Sequence, residues 1–242
     1  MIETIAIIPA RGGSKRVPLK NIRELNGHPL LAYSIRAAHD SGVCDRVLVS
    51  TDSPAIAEVA QSYGAEVLGL RPAELSGDGA HDIGFLEHAM QEWAPGDSSQ
   101  LWAILRPTSP LRSAHSIRIA RENLINNSWA DSIRALRPVT EHPVKMWRLN
   151  EVTGEASTYL DQPGSFNGPL QDLEKVYIQA SSLEIVRRGA ALASHSISGR
   201  RVLGFSLPEA ESMDVNSEHD WIVLGHLISQ QPGLLPRLDS VS

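Results

Sequence analysis

A six-residue run near the start, Thr4-Ile5-Ala6-Ile7-Ile8-Pro9, constrains this chain more than any other feature. It is almost wholly apolar, rich in β-branched side chains, and closed by proline. An unbroken apolar run of that length, with no alternation, reads as a strand covered on both faces, as in parallel sheets flanked by helices. The following segments keep the same rhythm. Pro29 to Ser41 carries Leu30, Leu31, Ile35 and Ala38 at helical spacing, with Pro29 suited to a first turn and Gly42 to a C-terminal cap. Arg46 to Ser50 predicts a second strand. Ser53 and Pro54 open a helix over Ala55 to Tyr63 that Gly64 ends, and Glu66 to Leu70 predicts a third strand, giving βαβαβ. Beyond it the pattern predicts a helix over Asp82 to Trp93, a strand over Leu101 to Leu105, a capped helix over Ser113 to Asn126 and a strand over Ser132 to Leu136. The C-terminal part predicts a helix near Ser181 to Arg188, a strand near Val202 to Ser206 and a last helix from Ser217 to about Ile228. Alternation of this kind implies an α/β fold with a doubly wound, mostly parallel sheet. Periodicity weakens from Pro138 to about Lys175, where Pro138, Pro143, Pro163, Pro169, Gly154, Gly164 and Gly168 collect. That stretch (138–175) reads as an inserted arm of the kind that seeks a partner chain, within one domain spanning residues 1–242.

Composition narrows the functional classes. With 42% hydrophobic and 21% charged residues over 242 positions, the chain is neither disordered nor fibrous. A formal charge of -6 argues against a general nucleic-acid binder, which needs a basic surface to displace counterions. Cys44 is the only cysteine, so an intrachain disulfide and a thiolate zinc site are both excluded, and a reducing compartment is expected. The first ten residues show no basic stretch before their apolar run, and no uncharged apolar segment reaches about 18 residues. The expectation is a cytoplasmic protein that does not associate with membranes.

Chemistry concentrates between the first strand and its helix, in Ala10-Arg11-Gly12-Gly13-Ser14-Lys15-Arg16-Val17-Pro18-Leu19-Lys20-Asn21. Paired glycines let backbone N–H groups approach an anion, and four cations within ten residues supply a field suited to a polyphosphate. On an acidic chain, that cluster marks one place: the carboxyl edge of the central strands, where doubly wound sheets bind ligands. The loop matches neither the Walker A spacing nor the Gly-x-Gly-x-x-Gly of dinucleotide folds. A merely solvated basic loop is disfavoured by the strand before it and the helix after it.

Pro9-Ala10-Arg11-Gly12-Gly13-Ser14-Lys15, followed by Lys20-Asn21, resembles the signature loop of acylneuraminate cytidylyltransferases, the CMP-sialic acid synthetases. Ser50-Thr51-Asp52-Ser53, Arg71-Pro72-Ala73-Glu74-Leu75, Pro107-Thr108-Ser109-Pro110-Leu111-Arg112, His142-Pro143-x-Lys145 and Ser212-Met213-Asp214 with Asp220-Trp221 are similar to further family motifs and occur in family order. The resemblance implies a fold of nucleotide-diphospho-sugar-transferase type and an arm exchanged across a homodimer. It also implies transfer of CMP from CTP to the anomeric hydroxyl of an eight- or nine-carbon 2-keto sugar acid, with release of pyrophosphate. By the family pattern Arg11 and Lys20 would stabilise the phosphates. Ala10, Gly12, Gly13 and Ser14 would form the CTP loop, Asn21 would help hold the nucleotide, and Arg71 would line the cytosine and ribose site. Asp214 would be a ligand of a magnesium ion (Mg2+), which accepts carboxylate and phosphate oxygens and few protein ligands.

Three positions depart from the pattern. The family's Asp-x-Asp is Asp214-Val215-Asn216 here, so Asn216 would coordinate through an uncharged amide oxygen or act through water. Arg106 stands where the family carries glutamine, and Tyr177 to Ser182, including Gln179, stands where it shows Arg-Asn-Gly. Arg106, Lys145 and Gln179 are the acceptor-side candidates. His81 and His88 share a helical spacing but have no carboxylate partner fixed by it, so a structural role is expected. The five tryptophans are dispersed, as core or arm anchors, and Cys44 reads as a small buried apolar residue. Two rivals stay open: a CMP-Kdo synthetase or sister enzyme for another acid, and a non-catalytic nucleotide-binding regulator.

Overall fold

The computed structural model describes residues 2–96, 100–160 and 165–238; Pro163 and Gly164, counted above as part of the arm, lie outside them. Chain order begins with strand β1 (Thr4–Pro9), a two-residue ribbon of β2 (Glu24–Leu25) and β3 (His28–Pro29), helix α1 (Leu30–Ser41), β4 (Arg46–Ser50) and α2 (Pro54–Ser62). Next come α3 (Asp82–His88), which continues as a π-helical turn to Trp93, then β5 (Leu101–Ile104), α4 (Ala114–Asn126) and β6 (Ser132–Pro138). The arm holds a hairpin of β7 (Trp147–Leu149) and β8 (Ala156–Thr158). The chain then returns through β9 (Tyr177–Arg187), α5 (Arg188–Ser194), β10 (Val202–Ser206) and α6 (Glu218–Gln230).

Six strands form one sheet in the order β10-β6-β9-β5-β1-β4, with β9 antiparallel to both neighbours and the other pairings parallel. β1 lies between β4 and β5, and its isoleucines are fully buried on alternate faces. Ile8 packs with Leu31, Ile35, Val49 and Ile117 under α1 and α4, while Ile5 and Ile7 pack with Phe85, Leu86, Trp102 and Val186 under α3. Each such side chain contributes about 1.5–3 kcal/mol of burial, which is why this run fixes the centre of the sheet. Local signals set the helix ends as the sequence predicts. Ser53 Oγ accepts from Ile56 N, Ser113 Oγ accepts from Ser116 N, and Gly42 closes α1 at φ 64°.

Two expected elements are corrected. The third strand over Glu66 to Leu70 is a single bridge, Leu48 to Glu66. Beyond it the chain bends back so that Arg71 N donates to Thr51 O at 2.7 Å, and Leu68 and Leu70 are left exposed. The helix expected near Ser181 to Arg188 is the C-terminal part of β9, and helix α5 starts only at Arg188. Leu183, Ile185 and Val186 satisfy helical spacing as well as a doubly covered strand, and the backbone bonds offered by β5 and β6 decide for the strand.

A third cluster joins Leu30, Tyr33 and Leu111 to Val215, Leu224 and Ile228. It seats α6 beside the start of α1 and thereby brings the Asp214 to Asn216 loop to the edge where β1 ends.

Candidate active site

The loop after β1 borders a cleft of about 200 Å3, lined by Arg11, Ser14, Lys15, Lys20, Asn21 and Arg71 together with Asp82, Phe85 and Arg106. The loop is held from beneath. Ala10 is buried and donates its N–H to Ser50 O at 2.9 Å, so it anchors the loop rather than facing the cleft. Asn21 Nδ2 donates to Arg11 O at 2.9 Å, and Gly12 N donates to Asp52 Oδ1 at 2.8 Å. A Cβ on Gly12 would stand 3.2 Å from that of Ser53, so the first glycine is required by close approach to the loop after β4. At Gly13 a Cβ would meet nothing within 4 Å, and neither the Gly13 N–H nor the Ser14 hydroxyl has a partner among the described residues. Those two groups are available to an anion.

Three of the four cations of the loop are occupied by the chain itself, while Arg16, which also lines the cleft, makes no hydrogen bond or ion pair among the described residues. Arg11 Nη1 donates to Gly77 O and pairs with Asp78 Oδ1, both at 3.1 Å, and Lys15 pairs with the other oxygen of Asp78. These pairs face solvent, so a polyphosphate can compete with Asp78. Leu19, exposed and at φ 52°, is a non-glycine residue in the left-handed region, and it turns Lys20 back into the fold. Lys20 Nζ donates to Val215 O at 2.9 Å. Burial pulls the Lys20 pKa below the ordinary lysine value against the opposing pull of Asp214. A lysine so placed gains from a phosphate that restores its charge's solvation.

Asp214 Oδ2 accepts from Asn216 Nδ2 at 2.9 Å, while Asp214 Oδ1 is buried with no partner among the described residues. Asp220 is committed elsewhere: its Oδ2 accepts from Asn216 N at 2.9 Å and Ser217 N at 2.8 Å in the capping box of α6. No group of three or more His, Cys, Asp or Glu side chains gathers as a metal cage among the described residues. The donor set fits a hard ion that keeps water and phosphate oxygens and takes one or two protein ligands, with the orphaned Asp214 Oδ1 as the group awaiting a partner.

On the other wall Arg71 is buried. Its Nε donates to Ser50 Oγ at 2.9 Å, its guanidinium lies 5.1 Å from the Phe85 ring centre, and burial pulls its pKa down to about 10. Arg106 Nη2 pairs with Asp82 Oδ2 at 2.6 Å, and Nη1 reaches Ser181 O at 3.2 Å and Glu184 Oε1 at 3.4 Å. Burial pulls the Arg106 pKa down, but Glu184 and Asp82 outweigh it and hold the group above the ordinary arginine value. Glu184 also pairs with Arg134 at 3.1 Å, and Arg134 in turn donates to Gln179 Oε1. Beneath this network Arg112 is wholly buried, donating to Ser182 O at 2.5 Å and Ser34 Oγ at 2.6 Å.

A second, larger cavity of about 1130 Å3 is lined by Arg137, Gln179, Ser181, Met213, Asp214 and Asn216 among others. The structure thus brings Arg11, Ser14, Lys20, Asn21 and Arg71 around the cleft, with Gly13 beside Ser14 but outside the lining, and puts Asp214, Asn216 and Gln179 at the larger cavity. Lys145 sits on a turn at the base of the arm and lines neither. His81 precedes α3 as its cap residue, His88 packs edge-on against Trp93, and Cys44 is half-buried with its thiol pKa pushed up by burial. Asp78, Asp82, Glu184 and Arg134 all shape the site, yet none carries a local motif that announces it. Only their long-range contacts do.

This arrangement agrees with comparisons to known proteins. Residues 5–163 match the family model described as cytidylyltransferase. The chain is 33% identical over 236 residues to the CMP-N,N'-diacetyllegionaminic acid synthase of Legionella pneumophila, covering 93% of this chain and 95% of that one. It is 32% identical over 230 residues to the N-acylneuraminate cytidylyltransferase of Streptococcus agalactiae, covering 93% of this chain but spanning only 54% of that longer protein. In three dimensions it superposes on a CMP:2-keto-3-deoxy-manno-octonic acid synthetase solved with CTP, with a TM-score of 0.69 at 14% identity, over 95% of this chain and 99% of that one. That likeness establishes the fold as nucleotide-diphospho-sugar-transferase type. The chain belongs to the cytidylyltransferase family and is a nucleotidyltransferase of the N-acylneuraminate cytidylyltransferase type.

Proposed function

We propose that the protein transfers CMP from CTP to the anomeric hydroxyl of a nonulosonic, sialic-acid-like 2-keto sugar acid. The observation that carries this reading is the contact between the two sides of the site: Lys20, which lines the cationic cleft, bonds Val215 O, and the flanking Asp214 and Asn216 line the larger cavity. CTP occupies the cleft, its phosphates on Arg11, Lys20, Gly13 N–H and Ser14, with Arg71 toward the base and ribose. The acid occupies the larger cavity. Its anomeric oxygen forms a bond to the α-phosphorus, the bond to the β-phosphate bridge breaks, pyrophosphate leaves, and the hydroxyl gives up its proton. Arg11 and Lys20 neutralise charge that grows on the phosphates in this displacement, and such positioned charge is the main source of rate in phosphoryl-type transfer. Asp214 would hold a magnesium ion, with Asn216 orienting that carboxylate through its amide; the ion supplies further charge neutralisation at the phosphates.

The relatives above 30% identity are named for N-acylneuraminate and N,N'-diacetyllegionaminic acid, which supports a nonulosonic acceptor. A homodimer is proposed with it, because the arm exposes Trp147, Leu149, Val152 and Tyr159, an apolar surface that a second copy would cover. The lone cysteine suits a cytoplasmic setting. Pyrophosphate release from CTP tests the reading. A panel of N-acetylneuraminic, N,N'-diacetyllegionaminic, pseudaminic and eight-carbon 2-keto acids is assayed with and without magnesium. Turnover with a nine-carbon acid is expected. Preference for the eight-carbon acid would reassign the acceptor, and CTP binding without turnover on any acid would favour a regulator.

A further inference from the structure

Among the described residues that line the larger cavity are three acidic residues, Glu209, Asp214 and Asp220, and a single cation, Arg137. Arg137 is the penultimate residue of β6, paired across the sheet with Ile178 of β9 and next to Gln179, which lines the same cavity. It is half-buried and makes no hydrogen bond or ion pair among the described residues. Every other cation that could serve an acidic acceptor is committed or elsewhere. Arg106 is engaged by Asp82, Glu184 and Ser181 O, Arg134 by Glu184 and Gln179, and Lys145 lines neither cavity. An arginine left without a protein partner at the wall of a large cavity has its whole planar fork of donors available to an anion that enters.

We propose that Arg137 is the acceptor-carboxylate residue, holding the acid through a two-pronged guanidinium-carboxylate contact in the larger cavity. The inference rests on the 2-keto sugar acid reading above. In such an acid the carboxylate and the anomeric hydroxyl stand on adjacent carbons, so the group that grips the first also aims the second. Arg137 therefore acts as a specificity-determining residue as well as an anchor. The acids around it sharpen that choice: Glu209 lines the same cavity and disfavours a carboxylate beside it, whereas Arg137 favours one.

The test uses the full chain, the acceptor selected by the panel, and the same acceptor with its carboxylate converted to the carboxamide. Arg137→Met is expected to lower kcat/KM for the acid about 10- to 100-fold, the loss of a charge-assisted bidentate contact. The CTP Kd measured by calorimetry should stay within twofold, which also reports that the variant is folded. The parent should discriminate strongly against the carboxamide, the Met variant should lose most of that discrimination, and Arg137→Lys should fall between. Acid turnover within twofold of the parent in Arg137→Met, or full discrimination retained, overturns the assignment while leaving the function intact. A parent that binds CTP yet turns over no 2-keto acid overturns the function, and this assignment with it.

Discussion

The cleft lined by Lys20 and the cavity lined by Asp214 and Asn216 are built on opposite plans. Of the six cations that line the nucleotide cleft, five are already engaged: Arg11 and Lys15 with Asp78, Lys20 with Val215 O, Arg71 with Ser50, Arg106 with Asp82 and Glu184, leaving Arg16 without a partner among the described residues. Among the described residues of the larger cavity the one cation, Arg137, is unengaged. A cleft whose charges are held in place before the ligand arrives spends little on reorganisation, which is what transition-state stabilisation requires. A wide cavity with one waiting charge selects its ligand instead, by where that ligand carries its own. The difference separates a catalytic wall from a recognition wall, and substitutions on the two sides should therefore fail in different ways.

The largest effect is expected on the catalytic wall. Lys20→Ala and Arg11→Ala should each lower kcat by on the order of 10² with the acceptor KM little changed, measured by pyrophosphate release. Rates within a factor of two of the parent would remove either residue from the chemistry and dissolve the distinction. Next comes the seam between the cavities. Glu184, nearly buried, compensates both Arg106 and Arg134, each of which still reaches some solvent. Glu184→Gln should cost about 2 kcal/mol in urea unfolding, less than for a fully enclosed pair, and should raise both substrate KM values together. A variant as stable as the parent would show that the network does not tie the two walls to each other.

These residues also mark how far the sequence could be read. β1, α1, α2, α4 and the β4 strand follow from apolar spacing and caps, because those signals are local and the burial they imply was realised. β9 resisted because Glu184 interrupts its apolar pattern, and what makes a buried glutamate tolerable is two arginines from distant parts of the chain, 78 and 50 positions away in sequence for Arg106 and Arg134. The loop motif pointed to Arg11, Lys20 and Asn21, and the fold gathers them. Asp78 had no such signal, since a Gly-Asp-Gly turn reads as any surface turn until it is seen against the loop. Arg137 was hidden for a related reason: its register opposite Ile178 belongs to the sheet, which no local pattern encodes.

A smaller effect is expected at Asn216. Its amide now donates to Asp214 Oδ2. Asn216→Asp replaces that donor with a second carboxylate, so the magnesium concentration for half-maximal activity should fall several-fold. Chelation should abolish activity in both forms. An unchanged titration would put position 216 outside the metal site and leave Asp214 to act with water and phosphate alone.

The smallest effect bears most directly on the contrast itself. If Asp78 stands in the cleft as an anion that the triphosphate must displace, Asp78→Asn should tighten CTP, lowering its KM about two- to threefold, a modest change because the pairs are exposed. Lys15 first, and Arg11 after it, hold the Asp78 carboxyl below its ordinary pKa, so the contact persists as pH falls through the weakly acidic range and is lost only once the carboxyl is protonated. The ratio of parent to variant KM should accordingly stay constant from about pH 8 to about pH 5 and shrink toward one only below that. A KM that rises in the variant would mean that Asp78 positions Arg11 for the phosphates instead of competing with them. The catalytic wall would then owe its order to that contact and not to the loop.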